Sequence, residues 1–91
     1  MEHTERFNRI YDETRDDLLR YLMLRTSAAP EAEDLFQEVY QRFYRRMTRG
    51  ALPILDAKRY LFAIAKKVLA QYYREAAERK EAEQPILTDD P

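Results

Sequence analysis

Along the first 25 positions, Phe7, Ile10, Tyr11, Leu18, Tyr21 and Leu22 recur at steps of three and four, with Thr14 in register. That period puts them on one side of a helix, and it predicts a helix over about 4–25. Thr4 is placed to cap its start, and Glu5 suits the positive end of the helix dipole. Thr26-Ser27-Ala28-Ala29-Pro30 breaks the pattern. A second stripe follows through Ala32, Leu35, Phe36, Val39, Tyr40, Phe43 and Met47, predicting a helix over about 30–49. Its ends agree with its middle. Pro30 fits the opening turn, where its missing N–H costs nothing. Glu31, Glu33 and Asp34 lie near the start, Arg45, Arg46 and Arg49 near the end, and Gly50 is the expected stop. Pro53 keeps 50–55 out of a helix, leaving a short apolar loop. Asp56 is a good N-cap for a third helix over about 57–80, with Ala57, Leu61, Ile64, Val68 and Tyr72 along one face. No strand pattern and no internal repeat is present. The expected fold is all-α, a small bundle of three helices joined by short connections.

Composition narrows the chemistry. The chain has 91 residues, about one domain's worth. It has no Cys and a single His, His3 near the N-terminus, so it offers neither a disulfide framework nor a Cys- or His-based metal site. One Gly excludes Gly-rich phosphate loops and argues against a turn-rich β fold. No apolar run approaches the roughly 18–20 residues of a membrane span, and the N-terminus lacks a signal-peptide layout; the expected location is the cytoplasm. The adjacent pairs Asp16-Asp17 and Asp89-Asp90 are no acid/base dyad. Neighbours on a helix point apart, and the second pair lies in a tail with no enclosing pocket. With no nucleophile motif either, no enzymatic activity, no cofactor and no metal is expected.

Charge changes the picture more. The total is −1, which on its own speaks against binding nucleic acid through bulk charge. The charges are segregated, however. Residues 1–41 carry ten acids and five bases, 42–80 carry eleven bases and three acids, and 81–91 carry four acids and no base. An acid–base–acid chain sums to near neutrality. The tail 81–91 has two prolines among its polar residues and reads as a linker or a disordered end.

Two helix faces could carry function. On the third helix, Arg59, Ala63, Lys67, Ala70 and Arg74 share one side, and beside them run Lys58, Phe62, Lys66, Leu69 and Tyr73. Cations interleaved with aromatic rings suit single-stranded nucleic acid, since cations take phosphates and rings stack on bases. The plainer alternative is a solvated charged face, with Phe62, Leu69 and Tyr73 in the core. On the second helix, Asp34, Gln37, Glu38 and Gln41 form a polar, acidic face. It is either a docking surface for a basic partner helix or simply a soluble side.

Three stretches together resemble a known family. They are Phe7-x-x-Ile10-Tyr11 with Leu18-Leu19-x-Tyr21, then Ala32-Glu33-Asp34-Leu35-Phe36-Gln37-Glu38-Val39-Tyr40, then Tyr60-Leu61-Phe62-Ala63-Ile64-Ala65 leading to Tyr72-Tyr73-Arg74. In order and spacing they look like region two of bacterial RNA polymerase sigma factors of the extracytoplasmic-function type, within the sigma-70 family. The likeness spans about residues 5–80. It implies a transcription initiation factor domain in which Asp34, Gln37 and Glu38, extended by Gln41 and Arg42, contact the β′ clamp helices of core RNA polymerase. It also implies that the third helix and the loop before it recognise the −10 promoter element and hold its melted non-template strand. Arg59, Tyr60, Lys66, Lys67, Tyr73 and Arg74 are then the candidate DNA contacts. Arg49, Gly50, Leu52, Ile54 and Asp56 belong to the candidate base-reading loop, where an apolar wall could receive a base drawn from the stack. An anti-sigma factor is a further partner the likeness allows.

The chain also departs from the family pattern. That pattern continues Ile-Ala-Arg-Asn and then, four residues after the Asn, has Asp. Here the positions read Ile64-Ala65-Lys66-Lys67 and Gln71. The loop has no Asn or Arg between Gly50 and Leu55. The segment ends at Pro91 without the family's second domain, which reads the −35 element through a helix-turn-helix. The expected organisation is therefore a region-two-like domain over 1–80 and an acidic linker-like tail over 81–91. Either this is one part of a longer protein, the expected case, or a protein that works with one domain. The departures keep a second function open: a sigma-like interaction module that binds polymerase or an anti-sigma partner without recognising DNA.

Overall fold

The computed structural model describes residues 2–50 and 55–83. It contains three α-helices in chain order: α1 Glu2–Met23, α2 Ala29–Arg49 and α3 Ala57–Glu83. Each packs against both others, forming the all-α three-helix bundle that the periodicity predicts.

The helix boundaries follow local chemistry, with some shifts from expectation. α1 starts at Glu2, so Thr4 lies inside the helix and does not cap it. Nothing in Glu2-His3 stops a helix. α1 ends two residues early, because Leu24 and Arg25 form a closing turn (Leu24 N–H to Arg20 O and Arg25 N–H to Leu22 O, both 3.0 Å). The Thr26 hydroxyl adds a bond to the Leu22 carbonyl at 2.9 Å, serving acceptors that a helix end leaves open. Pro30 stands in the first turn of α2, as expected. Gly50 ends α2 with its N–H on the Arg46 carbonyl. It does so with extended backbone, φ −76° and ψ 139°, and not with the left-handed turn common at such glycines. Asp56 caps α3, its Oδ1 accepting the Arg59 N–H at 3.1 Å. α3 runs three residues past its expected end. Leu52 and Ile54, with most of the apolar loop, and the tail from Gln84 onward lie outside the described residues.

The core is one cluster drawn from all three helices. α1 supplies Ile10, Leu18 and Leu22; α2 supplies Ala32, Leu35, Val39, Tyr40, Phe43 and Met47; α3 supplies Leu61, Ile64, Ala65, Val68 and Leu69. The predicted stripes of α1 and α2 are thus at the centre. On α3 the buried side is wider than predicted. Ala65 and Leu69 join it, because α3 faces two neighbours and needs a seam for each, while Ala57 and Tyr72 sit at its half-buried margin.

Thr14 is buried among these apolar groups. Its Oγ1 is 2.8 Å from the Ile10 carbonyl and 2.6 Å from the Tyr40 hydroxyl. A carbonyl can only accept, so Thr14 donates to Ile10, and Tyr40 donates to Thr14. Burial pushes the Tyr40 phenol up, which keeps its proton in place for that bond. Around the pair, Phe7, Tyr11, Phe36 and Tyr40 pack ring against ring with centroids 4.8–6.1 Å apart. Edge-to-face and tilted arrangements dominate, the geometry the ring quadrupole favours.

Tyr40→Phe should lower unfolding stability by about 1 kcal/mol, the net worth of one buried hydrogen bond, because Thr14 keeps its bond to Ile10. Phe43→Ala, which empties a fully buried site, should cost about 3–5 kcal/mol. Urea titration followed by circular dichroism measures both, and equal losses would contradict the assignment.

Candidate functional site

α2 buries its apolar stripe and turns the opposite side to solvent. There Asp34, Gln37, Glu38 and Gln41 line one shallow depression together with Arg42 and Arg45. Asp34, Gln37 and Gln41 are exposed and Glu38 is half-buried. All four residues expected to contact a partner protein are therefore neighbours on a single face. Glu38 is held by Arg42 at 2.6 Å. Arg42 also donates to the Gln71 side chain at 3.3 Å, and Gln71 donates to Glu75 at 3.0 Å. A polar chain thus runs from the open face of α2 across to α3.

α3 presents the basic side. Arg59, Ala63, Lys66, Lys67, Ala70 and Arg74 are all exposed. Among the described residues, no carboxylate lies within ion-pair distance of Arg59, Lys66, Lys67 or Arg74. The small, exposed Ala63 and Ala70 lie between the cations. The second row proposed on this helix is open only in part. Leu69 is buried, Phe62 packs edge-on to Tyr21 with centroids 5.3 Å apart, and Lys58 pairs with Asp17 at 3.0 Å. Phe62 and Leu69 pack inward, Phe62 against Tyr21 of α1, while Lys66 and Tyr73 of the same row stay exposed. Tyr60 is half-buried at the α2 side, tilted against Phe43 and beneath the Arg46 guanidinium. Tyr73 is 48% exposed at the margin of the basic face.

At the end of α2, Arg42, Arg45, Arg46 and Arg49 line one cleft with Gly50. Their spacing of 3, 1 and 3 places them on a common helix side, a signal already present in the sequence. In the same region Asp56 spends a carboxylate oxygen on its cap.

Two consecutive tyrosines of α3 clasp the α1–α2 turn. The Tyr72 hydroxyl donates to Glu31 at 2.6 Å, and Ser27 donates to the same oxygen at 2.7 Å. The Tyr73 hydroxyl donates to the Arg25 carbonyl at 2.6 Å. Both hydroxyls on Glu31 stabilise its charged form, Tyr72 first, and hold its carboxyl below the ordinary value of 4.5.

The model of Sigma-70 region 2 matches residues 10–79, most of the chain. The chain belongs to the sigma-70 region 2 family. It is 31% identical over 75 residues to the ECF RNA polymerase sigma factor BldN of Streptomyces coelicolor. That alignment covers 82% of this chain but 28% of the relative, so the chain spans little more than a quarter of that protein's length. No solved structure matches it. Within this sigma region 2 domain, Gln71 stands where the family resemblance leads one to expect Asp, and here it bridges α2 and α3. Among the described residues, no group of acids and histidines could hold a metal ion, and no helix is long and apolar enough to cross a membrane.

The depressed Glu31 carboxyl fixes a pH dependence. Its contribution to stability is fully present above the unfolded carboxylate value and is lost as pH falls through the lower folded value. Tyr72→Phe removes the larger cause. Below about pH 4.5 the variant should therefore lose less additional stability than the wild type as acid is added. Thermal melts from pH 7 to pH 3 measure this, and parallel losses in both proteins would contradict it.

Proposed function

We propose that this chain is the part of a transcription initiation factor that docks on core RNA polymerase and holds melted promoter DNA. The observation that carries the reading is the division of surface between two helices of one bundle. α2 offers the Asp34, Gln37, Glu38 and Gln41 face to the β′ clamp helices, and α3 offers Arg59, Lys66, Lys67 and Arg74 to the non-template strand of the −10 element. Tyr73 stands at the margin with its ring half exposed. Family membership supports the reading, as does the likeness to BldN, an RNA polymerase sigma factor. The work is binding and not catalysis, and it belongs in the cytoplasm with polymerase and promoter.

Unpaired cations on a helix flanked by aromatics match what a single strand requires. Their charge neutralises phosphates and releases counterions, which draws the strand in without reading its sequence. Arg49, Gly50 and Asp56, together with Leu52 and Ile54, form the base-reading loop of this proposal.

One observation favours a second reading. Gln71 is occupied between Arg42 and Glu75, and Lys67 replaces the Asn of the family pattern. A domain that docks on polymerase or an anti-sigma factor without reading DNA would look the same on α2.

Two binding measurements decide between these readings. An isolated clamp-helix fragment should bind the domain, and Gln37→Ala and Glu38→Ala should each weaken it about five-fold or more. Wild-type binding unaffected by either variant overturns the α2 assignment. A single-stranded −10 oligonucleotide should bind with affinity falling steeply as salt rises. Lys67→Ala and Arg74→Ala should each reduce the log–log slope by about 0.7. Clamp binding without any oligonucleotide binding establishes the second reading.

A further inference from the structure

A depression between the end of α1 and the middle of α3 is lined by Tyr21, Arg25, Lys66, Leu69, Ala70 and Tyr73. We infer that it is a nucleotide pocket, in which one unpaired base stacks on the Arg25–Tyr21 pair while its phosphate meets Lys66. The inference rests on the DNA-holding reading above and extends it to α1, whose residues that reading does not use.

The lining has the required chemistry. It holds two cations, two aromatic rings, two aliphatic side chains and no acid. The Arg25 guanidinium lies over the Tyr21 ring, 3.8 Å from its centroid. Its Nη1 also donates to the Tyr21 carbonyl at 3.0 Å. Tyr21 is backed in turn by the edge-on Phe62. The guanidinium is thereby held over the ring before any ligand arrives, and guanidinium planes, like aromatic faces, accept unstacked bases. Pinning it in advance reduces the ordering cost of binding.

The remaining groups complete the cavity. The Tyr73 hydroxyl bonds to the Arg25 carbonyl at 2.6 Å, which tethers a second ring to the same turn. The short side chain of Ala70 leaves room between the walls. The space is about 260 Å³, enough for part of a nucleotide and too little for a folded partner. Lys66 and Ala70 also belong to the exposed basic face of α3, so a strand lying on that face reaches the pocket without leaving it. An acidic peptide could satisfy the cations, but it would have no use for the stacked plane.

The test compares a short oligothymidylate with the same chain of phosphates carrying abasic sugars. The wild type should bind the base-bearing strand roughly ten-fold more tightly. Arg25→Lys keeps the charge and loses the plane; it should abolish most of that preference while leaving the salt slope intact. Ala70→Leu, on an exposed helix position, should do the same by filling the space. Lys66→Gln should weaken both strands and lower the salt slope. An unchanged preference in Arg25→Lys and Ala70→Leu overturns the pocket while leaving the DNA reading in place, provided Lys67→Ala and Arg74→Ala still act. If neither strand binds at all, both readings fall. A preference for an acidic peptide over oligothymidylate would also overturn the pocket.

Discussion

Everything in this bundle depends on α2 burying a single stripe, Leu35, Val39, Phe43 and Met47, against two helices at once. A helix with one apolar side must give its other side to water or to a partner. The two ends of the polar side then diverge in character, with acids and amides toward the start and arginines toward the finish. That order is also what the helix dipole favours. The docking face and the arginine cleft are therefore two stretches of one surface, and both exist because the core occupies the opposite side.

Much of this was legible in the chain. Periodicity, Pro30, Gly50, Pro53 and Asp56 were enough to place three helices, since each carries its own local reason. The open faces were legible for the same cause: a residue opposite a core stripe is exposed wherever the bundle turns. Tertiary facts were less accessible. One helical period could not reveal that α3 has two seams, so Leu69 and Phe62 read as members of a basic row when they pack toward α1. Thr4 had the chemistry of a cap, but capping depends on where the chain first becomes helical. Gln71 looked like a lost contact, yet its amide can donate and accept at once and so bridges Arg42 to Glu75. Arg25 carries no signal of its own in the sequence, because the ring it covers, Tyr21, belongs to the core stripe.

The near-neutral total charge acquires a physical meaning in this arrangement. Among the described residues the bridges are local, Arg42 with Glu38 and Arg15 with Asp16, or tie the start of α3 to α1, as Lys58 does with Asp17. Exposed pairs of this kind contribute little to stability. Arg59, Lys66, Lys67 and Arg74 of α3 have no such partner among the described residues, which is costly for compactness only in a small way but leaves a field available to an anionic strand.

The two tyrosine hydroxyls that fasten the α1–α2 turn have a consequence for the order of assembly. Tyr72 meets Glu31 across 41 positions and Tyr73 meets Arg25 across 48. Helical turns form from neighbours in sequence and close quickly, whereas these bonds form only when α3 has returned along the other two helices. An α1–α2 hairpin alone would leave its turn unfastened. The bundle thus carries a long-range latch on an otherwise local topology, and that latch ties the rigidity of the first connection to the arrival of the last helix.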